Sequence, residues 1–215
     1  MLKIPSKEKV ASFDVDAMKT FTPICPDELP VPEGDKIGAE LNKQAEKARI
    51  RIGSKDAHSP NAIWVATDEN PQFSPIEGKD VDVRWNVHAV PGTMGFELLD
   101  ELPKPSEYRY FVYKGIEVDQ HPYSACYHDF ANTQSTGVIE VLQVEGIETV
   151  IVGGLALDYC VATTATQLKE AGFDVVINLS GTRGIAAETV DEAIAKMEAI
   201  GIRFVENAEL LKNHD

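Results

Sequence analysis

Thr149-Val150-Ile151-Val152-Gly153-Gly154-Leu155-Ala156-Leu157-Asp158-Tyr159-Cys160 is the stretch from which the fold can be read. Thr149 to Gly153 is an apolar run of strand length. A tight turn follows, and from about Cys160 to Ala171 the residues Val161, Ala165 and Leu168 recur at helical spacing until Gly172 ends the segment. Asp174 to Leu179 supplies the next β-branched run. Strand, helix and strand in immediate succession make a βαβ unit, and strands of this composition suit a parallel sheet covered on both faces.

The same rhythm extends in both directions. Upstream, Val10 to Asp16 reads as a first strand. A helix follows from about Asp35, with Ile37, Leu41, Ala45 and Ala48 on one face, and Arg49 to Gly53 is a second strand. From Ser54 to about Gly92 the composition turns to Pro, Asn, Asp and Ser, which predicts a long irregular loop of the kind that tends to carry function. A short helix is expected around Phe96 to Leu102, a third strand at Arg109 to Lys114, and a helix through Val138, Val141 and Leu142 that stops at Gly146. Downstream, Glu188 to Ile200 predicts a last helix and Ile202 to Val205 a sixth strand before a polar tail. The expectation is one α/β domain over residues 1–215, a three-layer α/β/α arrangement around a six-stranded parallel sheet.

Bulk properties narrow the function. With 215 residues, 43% of them hydrophobic, the chain can bury one substantial core. A formal charge of −15 argues against a nucleic-acid or anionic-membrane partner and favours a small neutral substrate. Met1 to Val10 lacks the apolar centre of a signal peptide, and no run approaches membrane-spanning length. Three cysteines, Cys25, Cys126 and Cys160, are too few and too odd for a disulfide framework; reduced thiols and a cytoplasmic location are expected.

Reactive groups in an open parallel sheet gather at the carboxyl ends of the strands. Those ends here carry Asp16, then Asp56 with His58, then Lys114, then Cys160. Cys160 opens a helix whose N-terminal partial charge favours thiolate and whose free N–H groups can hold an oxyanion; a small buried hydrophobe is the plainer reading. Asp14 shares the face of Asp16, and either acid can be a base while the other contacts a neighbouring loop. Lys114 is either a snorkelling surface charge or the partner that keeps Asp16 ionised. Asp56, His58 and His88 are a ligand set for Zn, Fe or Mn, whereas His121, His128 and His214 show no ligand-like spacing and read as surface or structural residues. Trp85 and Tyr123 suit a pocket for a flat ring or a place in the core.

Four segments together resemble the nicotinamidase (pyrazinamidase) branch of the isochorismatase-like cysteine hydrolases. They are Val15-Asp16 with Phe21, then Ser54-Lys55-Asp56-Ala57-His58-Ser59-Pro60 with Trp85-Asn86-Val87-His88, then Lys114-Gly115 with Tyr123-Ser124-Ala125, and the run from Gly154 to Val161. The resemblance implies a sheet ordered 3-2-1-4-5-6 and a cis peptide before Ala156. It further implies catalysis by Asp16, Lys114 and Cys160, with an oxyanion hole from the N–H groups of Ala156 and Cys160. A divalent metal, Zn or else Fe or Mn, would sit on Asp56, His58 and His88, and Phe21, Trp85 and Tyr123 would bind the substrate.

The implied reaction is deamidation of nicotinamide in NAD salvage by a protein that is often a homo-oligomer. Met18, Thr20, Ala89 and Pro91 depart from the family pattern and bear on the substrate more than on the reaction type. Rival readings are an amidase for carbamoyl or ureido compounds, a vinyl-ether hydrolase acting on isochorismate, a metal hydrolase in which bound water attacks, and a non-catalytic binding protein on the same fold.

Overall fold

The computed structural model describes residues 1–214. In chain order the strands are β1 Leu2–Ile4, β2 Val10–Val15, β3 Ile50–Asp56, β4 Tyr110–Lys114, β5 Thr149–Leu155, β6 Asp174–Arg183, β7 Arg203–Val205 and β8 Leu211–Asn213. The α-helices are α1 Gly38–Glu46, α2 Val138–Val144, α3 Ala162–Glu170 and α4 Ala187–Ala199. Strands β2 to β7 form one sheet, all pairs parallel, in the order β4-β3-β2-β5-β6-β7. Counted within that sheet, this is the expected 3-2-1-4-5-6.

Alternation along the strands sorts the core into layers. Ala11, Phe13 and Val15 of β2 and Val150 and Val152 of β5 pack with Val138 and Leu142 of α2, Ala165 and Leu168 of α3, and Met197 of α4. The opposite face carries α1, whose Gln44 is wholly buried and donates to Ser12 Oγ at 3.0 Å and to the Ile151 carbonyl at 3.1 Å. Among the described residues no helix is long and apolar enough to cross a membrane.

Several boundaries differ from the sequence reading, each for a physical reason. The helix expected from Asp35 begins as a single 3₁₀ turn, Gly34–Lys36, and becomes α-helical only at Gly38. No helix forms over residues 96–102. Its backbone bonds instead to the segment after β2, with Lys19 N–H donating to Glu97 O at 2.9 Å, Thr20 N–H to Gly95 O at 3.0 Å and Leu99 N–H to Ala17 O at 3.0 Å. Strand β6 continues past Leu179 to Arg183 through a register shift opposite Val152 and Gly154, where Ser180 and Gly181 had masked its continuation. Strands β1 and β8 form a separate two-stranded parallel sheet that covers Ile151 and Val176; each is too short to show a periodic pattern.

Candidate active site and metal centre

Asp16 follows the last residue of β2 and takes a left-handed φ of +45°, a conformation that Asp tolerates better than most side chains. Ser54 on β3 fixes it twice: its hydroxyl donates to Asp16 Oδ1 at 2.7 Å and accepts from the Asp16 N–H at 3.2 Å. Lys114 closes β4, and its side chain is fully buried, so it does not snorkel. Its Nζ lies 3.1 Å from Asp16 Oδ2 and 2.5 Å from Asp56 Oδ1, donates to Pro122 O at 2.9 Å, and sits 3.7 Å from Cys160 Sγ. One ammonium thus links two carboxylates and the sulfur.

Cys160 lies in a π-helical turn, Leu157–Val161, that feeds α3. The preceding Leu155–Ala156 peptide is cis, as the resemblance implies. Gly154, at φ +125°, lets β5 press against β2: a Cβ there would meet the Val15 carbonyl oxygen at 1.9 Å. That approach brings the turn holding the sulfur beside Asp16, and the reactive atoms of Asp16, Asp56 and Cys160 all lie within 4.8 Å of one another.

The expected thiolate at a helix terminus is not what the surroundings favour. Burial pushes the Cys160 thiol well above the ordinary cysteine range; Lys114 opposes that push, and Asp16 and Asp56 add to it. The resting sulfur keeps its proton and needs a base. Burial likewise raises Asp16, against the pull of Lys114. For Lys114, burial works against the charge, yet Asp16 and Asp56 hold the ammonium well above its usual value. Cys126 has no such company, and burial pushes its thiol up to about 12.

Asp14 and Asp16 were expected on one face, and the structure gives them separate partners. Asp14 Oδ2 accepts from Arg51 Nε at 2.7 Å and from Tyr108 Oη at 2.9 Å.

Asp56 ends β3, and beyond it a second cluster begins. His58 Nδ1 meets Gly115 O at 2.8 Å and His88 Nδ1 meets Asn86 O at 2.7 Å, contacts that require the proton on Nδ1. The Nε2 atoms of both rings are buried and without a hydrogen-bond partner. Burial holds His88 neutral, its pKa lowered to about 3. Asp56 Oδ1 is 3.5 Å from His58 Nε2. Against the penalty of burial, Lys114 and His58 keep the Asp56 carboxyl far below the usual range, hence charged. Two buried imidazoles whose Nε2 atoms lack hydrogen-bond partners, beside a carboxylate, fit a divalent cation.

The sequence reading of His121 needs correction. It is buried, at 4% exposure, and its ring presents a nitrogen within 4.8 Å of those of His58 and His88. Histidine spacing gave no hint of this. A usable signal was its position two residues before Tyr123, since neighbours at that separation in extended chain point the same way.

Phe21, Trp85 and Tyr123 line one narrow cleft together with Tyr159, and Cys160, His88 and His121 open into it. Trp85 Nε1 donates to Tyr123 Oη at 3.3 Å, and Tyr123 donates to Asp82 Oδ1 at 2.7 Å. Of the positions that depart from the family pattern, Thr20 accepts from the Ala89 N–H at 3.0 Å and donates to Glu28, while Met18 is wholly buried. His128 and His214 lie outside this cluster.

With this geometry in hand, the chain can be set beside known proteins. The isochorismatase domain model matches residues 28–209. The nicotinamidase of Escherichia coli K12 is 30% identical over 177 residues, 79% of this chain and 82% of that protein. The nicotinamidase–pyrazinamidase structure from Acinetobacter baumannii superposes with a TM-score of 0.86 at 28% identity, covering 95% of this chain and 99% of that one. The pyrazinamidase of Pyrococcus horikoshii, solved in complex with zinc, gives 0.73 at 28% identity, with 92% and 98% covered. A domain match over most of the sequence, together with a shared sheet order, makes this chain a member of the isochorismatase family.

Proposed function

We propose that the chain is an amide hydrolase that deamidates nicotinamide to nicotinate and ammonia through a thioester on Cys160. The observation that carries the reading is the buried Asp16–Lys114–Cys160 cluster, whose Cys160 lines an aromatic-walled cleft. Names of relatives support the substrate, since both the Escherichia coli and Acinetobacter proteins are described as nicotinamidases.

In this reading Asp16 takes the proton from Cys160 Sγ, and the sulfur adds to the carboxamide carbon. The N–H groups of Ala156 and Cys160 hold the resulting oxyanion. Asp16 returns the proton to the leaving nitrogen, which departs as ammonia. It then takes a proton from water, whose oxygen attacks the thioester; the expelled sulfur recovers that proton, and nicotinate is released. Lys114 keeps Asp16 oriented and offsets its charge. A divalent ion held by Asp56, His58 and His88, zinc by preference and Fe or Mn as alternatives, would supply a Lewis-acid anchor for the pyridine nitrogen. Phe21, Trp85 and Tyr123 confine the ring. Residues 1–215 act as one catalytic unit with a small-molecule partner, and the free thiols support a cytoplasmic place in pyridine-nucleotide salvage. A homo-oligomer fits the same reading.

The test is ammonia release by the purified protein from nicotinamide, with carbamoyl and ureido compounds alongside. Cys160→Ala is expected to lower turnover at least about 10³-fold while bound metal stays unchanged. Turnover retained in that variant rejects covalent catalysis, and release from carbamoyl compounds alone rejects the substrate.

A further inference from the structure

His121 is the polar group that the site as described does not use. Its residue is 4% exposed, yet neither Nδ1 nor Nε2 has a hydrogen-bond partner. His58 and His88 each give one nitrogen to a backbone carbonyl; His121 gives none. A buried polar group without a partner is destabilising, so the ring calls for something in the cleft that takes a lone pair.

Its setting restricts what that is. The ring is stacked between His58, at 5.0 Å and 21°, and Trp85, at 5.6 Å and 13°, with the edge of Trp64 against it at 4.5 Å. Its backbone N–H donates to Asp80 O at 2.8 Å. A ring nitrogen is thereby held within 4.8 Å of a ring nitrogen on each of the other two histidines. Three electron-pair donors aimed at one small space repel one another unless a cation sits among them.

We propose that His121 is a fourth protein ligand of the divalent ion held by Asp56, His58 and His88. The proposal rests on the metal centre read above. It makes the set one carboxylate and three imidazoles, suited to Zn, Fe or Mn, and leaves fewer coordination positions for water or substrate.

The experiment measures zinc affinity by chelator competition for the wild type, His121→Phe, His121→Gln and His58→Ala, with the absorption spectrum of each cobalt-substituted form. His121→Phe preserves the stack and removes both nitrogens. At least a tenfold loss of affinity and a changed cobalt spectrum are expected for both His121 variants. X-ray absorption of zinc-loaded wild-type protein, which needs no variant, should count three imidazoles. Wild-type affinity and spectrum in His121→Phe, or a count of two, overturns the proposal; a raised KM for nicotinamide with unchanged zinc affinity does the same and makes His121 a substrate contact. His58→Ala separates the two levels, because unchanged affinity there removes the metal centre itself.

Discussion

Asp14 and Asp16 sit two residues apart and meet opposite demands. Asp16 is paired with a buried ammonium beside the sulfur, whereas Asp14 is wholly buried, leans on Arg51 and Tyr108 through Oδ2, and leaves Oδ1 with no partner. Burial outweighs the Arg51 charge there and raises the Asp14 carboxyl from 3.8 to about 6. The folded state therefore holds that proton more tightly than the unfolded chain does. The contribution from Asp14 is full below about pH 4 and is lost as pH rises through about 6, by about 3 kcal/mol at most. Urea unfolding of the wild type and of Asp14→Asn, followed from pH 4 to 7, should show the wild type losing ground relative to the variant by that amount. A difference that does not move with pH would contradict this account of Asp14.

At the scale of elements, the turn between β5 and α3 is held from both sides. On one side Gly154 admits the backbone of β2; on the other Asp158 accepts from Ile185 N–H at 3.1 Å and from Thr189 Oγ1 at 2.6 Å, which ties the turn to the start of α4. The contact at Gly154 is backbone on backbone, so no side chain can yield to an added methyl. Gly154→Ala should cost about 3 kcal/mol or more, read from the denaturation midpoint. It should also lower turnover in the fraction that stays folded, because β5 must retreat from the strand end that presents Asp16. Wild-type turnover in a folded variant would mean that this approach does not position the site.

Across the whole molecule, what could be read from the sequence followed contact range. Strands β2 to β7 were legible as short runs of strand composition, although β3 was read only to Gly53 and continues through the polar Ser54, Lys55 and Asp56, and the order of the sheet came through the resemblance. The placement of Asp16, Lys114 and Cys160 was legible because parallel topology delivers strand ends to one edge. The segment 96–102 was misread because its amphipathic spacing was answered by distant backbone and not by its own turns. His121 was missed because its neighbours, His58, Trp64 and Trp85, come from another part of the chain, 36 to 63 residues away. For Cys160 the sequence offered both a thiolate-favouring helix terminus and a buried site, and only the structure shows that burial outweighs the rest.

The backbone pairing between residues 17–20 and 95–99 has a kinetic corollary. Its amides belong to no α-helix and to no strand of the main sheet, yet Lys19, Thr20 and Leu99 each donate across that junction, and Ala89 is caught by Thr20. In deuterium labelling they should exchange on the slow timescale of β2 and not on that of a surface loop. This wall of the cleft then behaves as an extension of the sheet, and the breathing that admits a ring falls to the opposite rim, at Tyr123 and Tyr159. Rapid exchange at those four amides would assign the yielding wall to the other side.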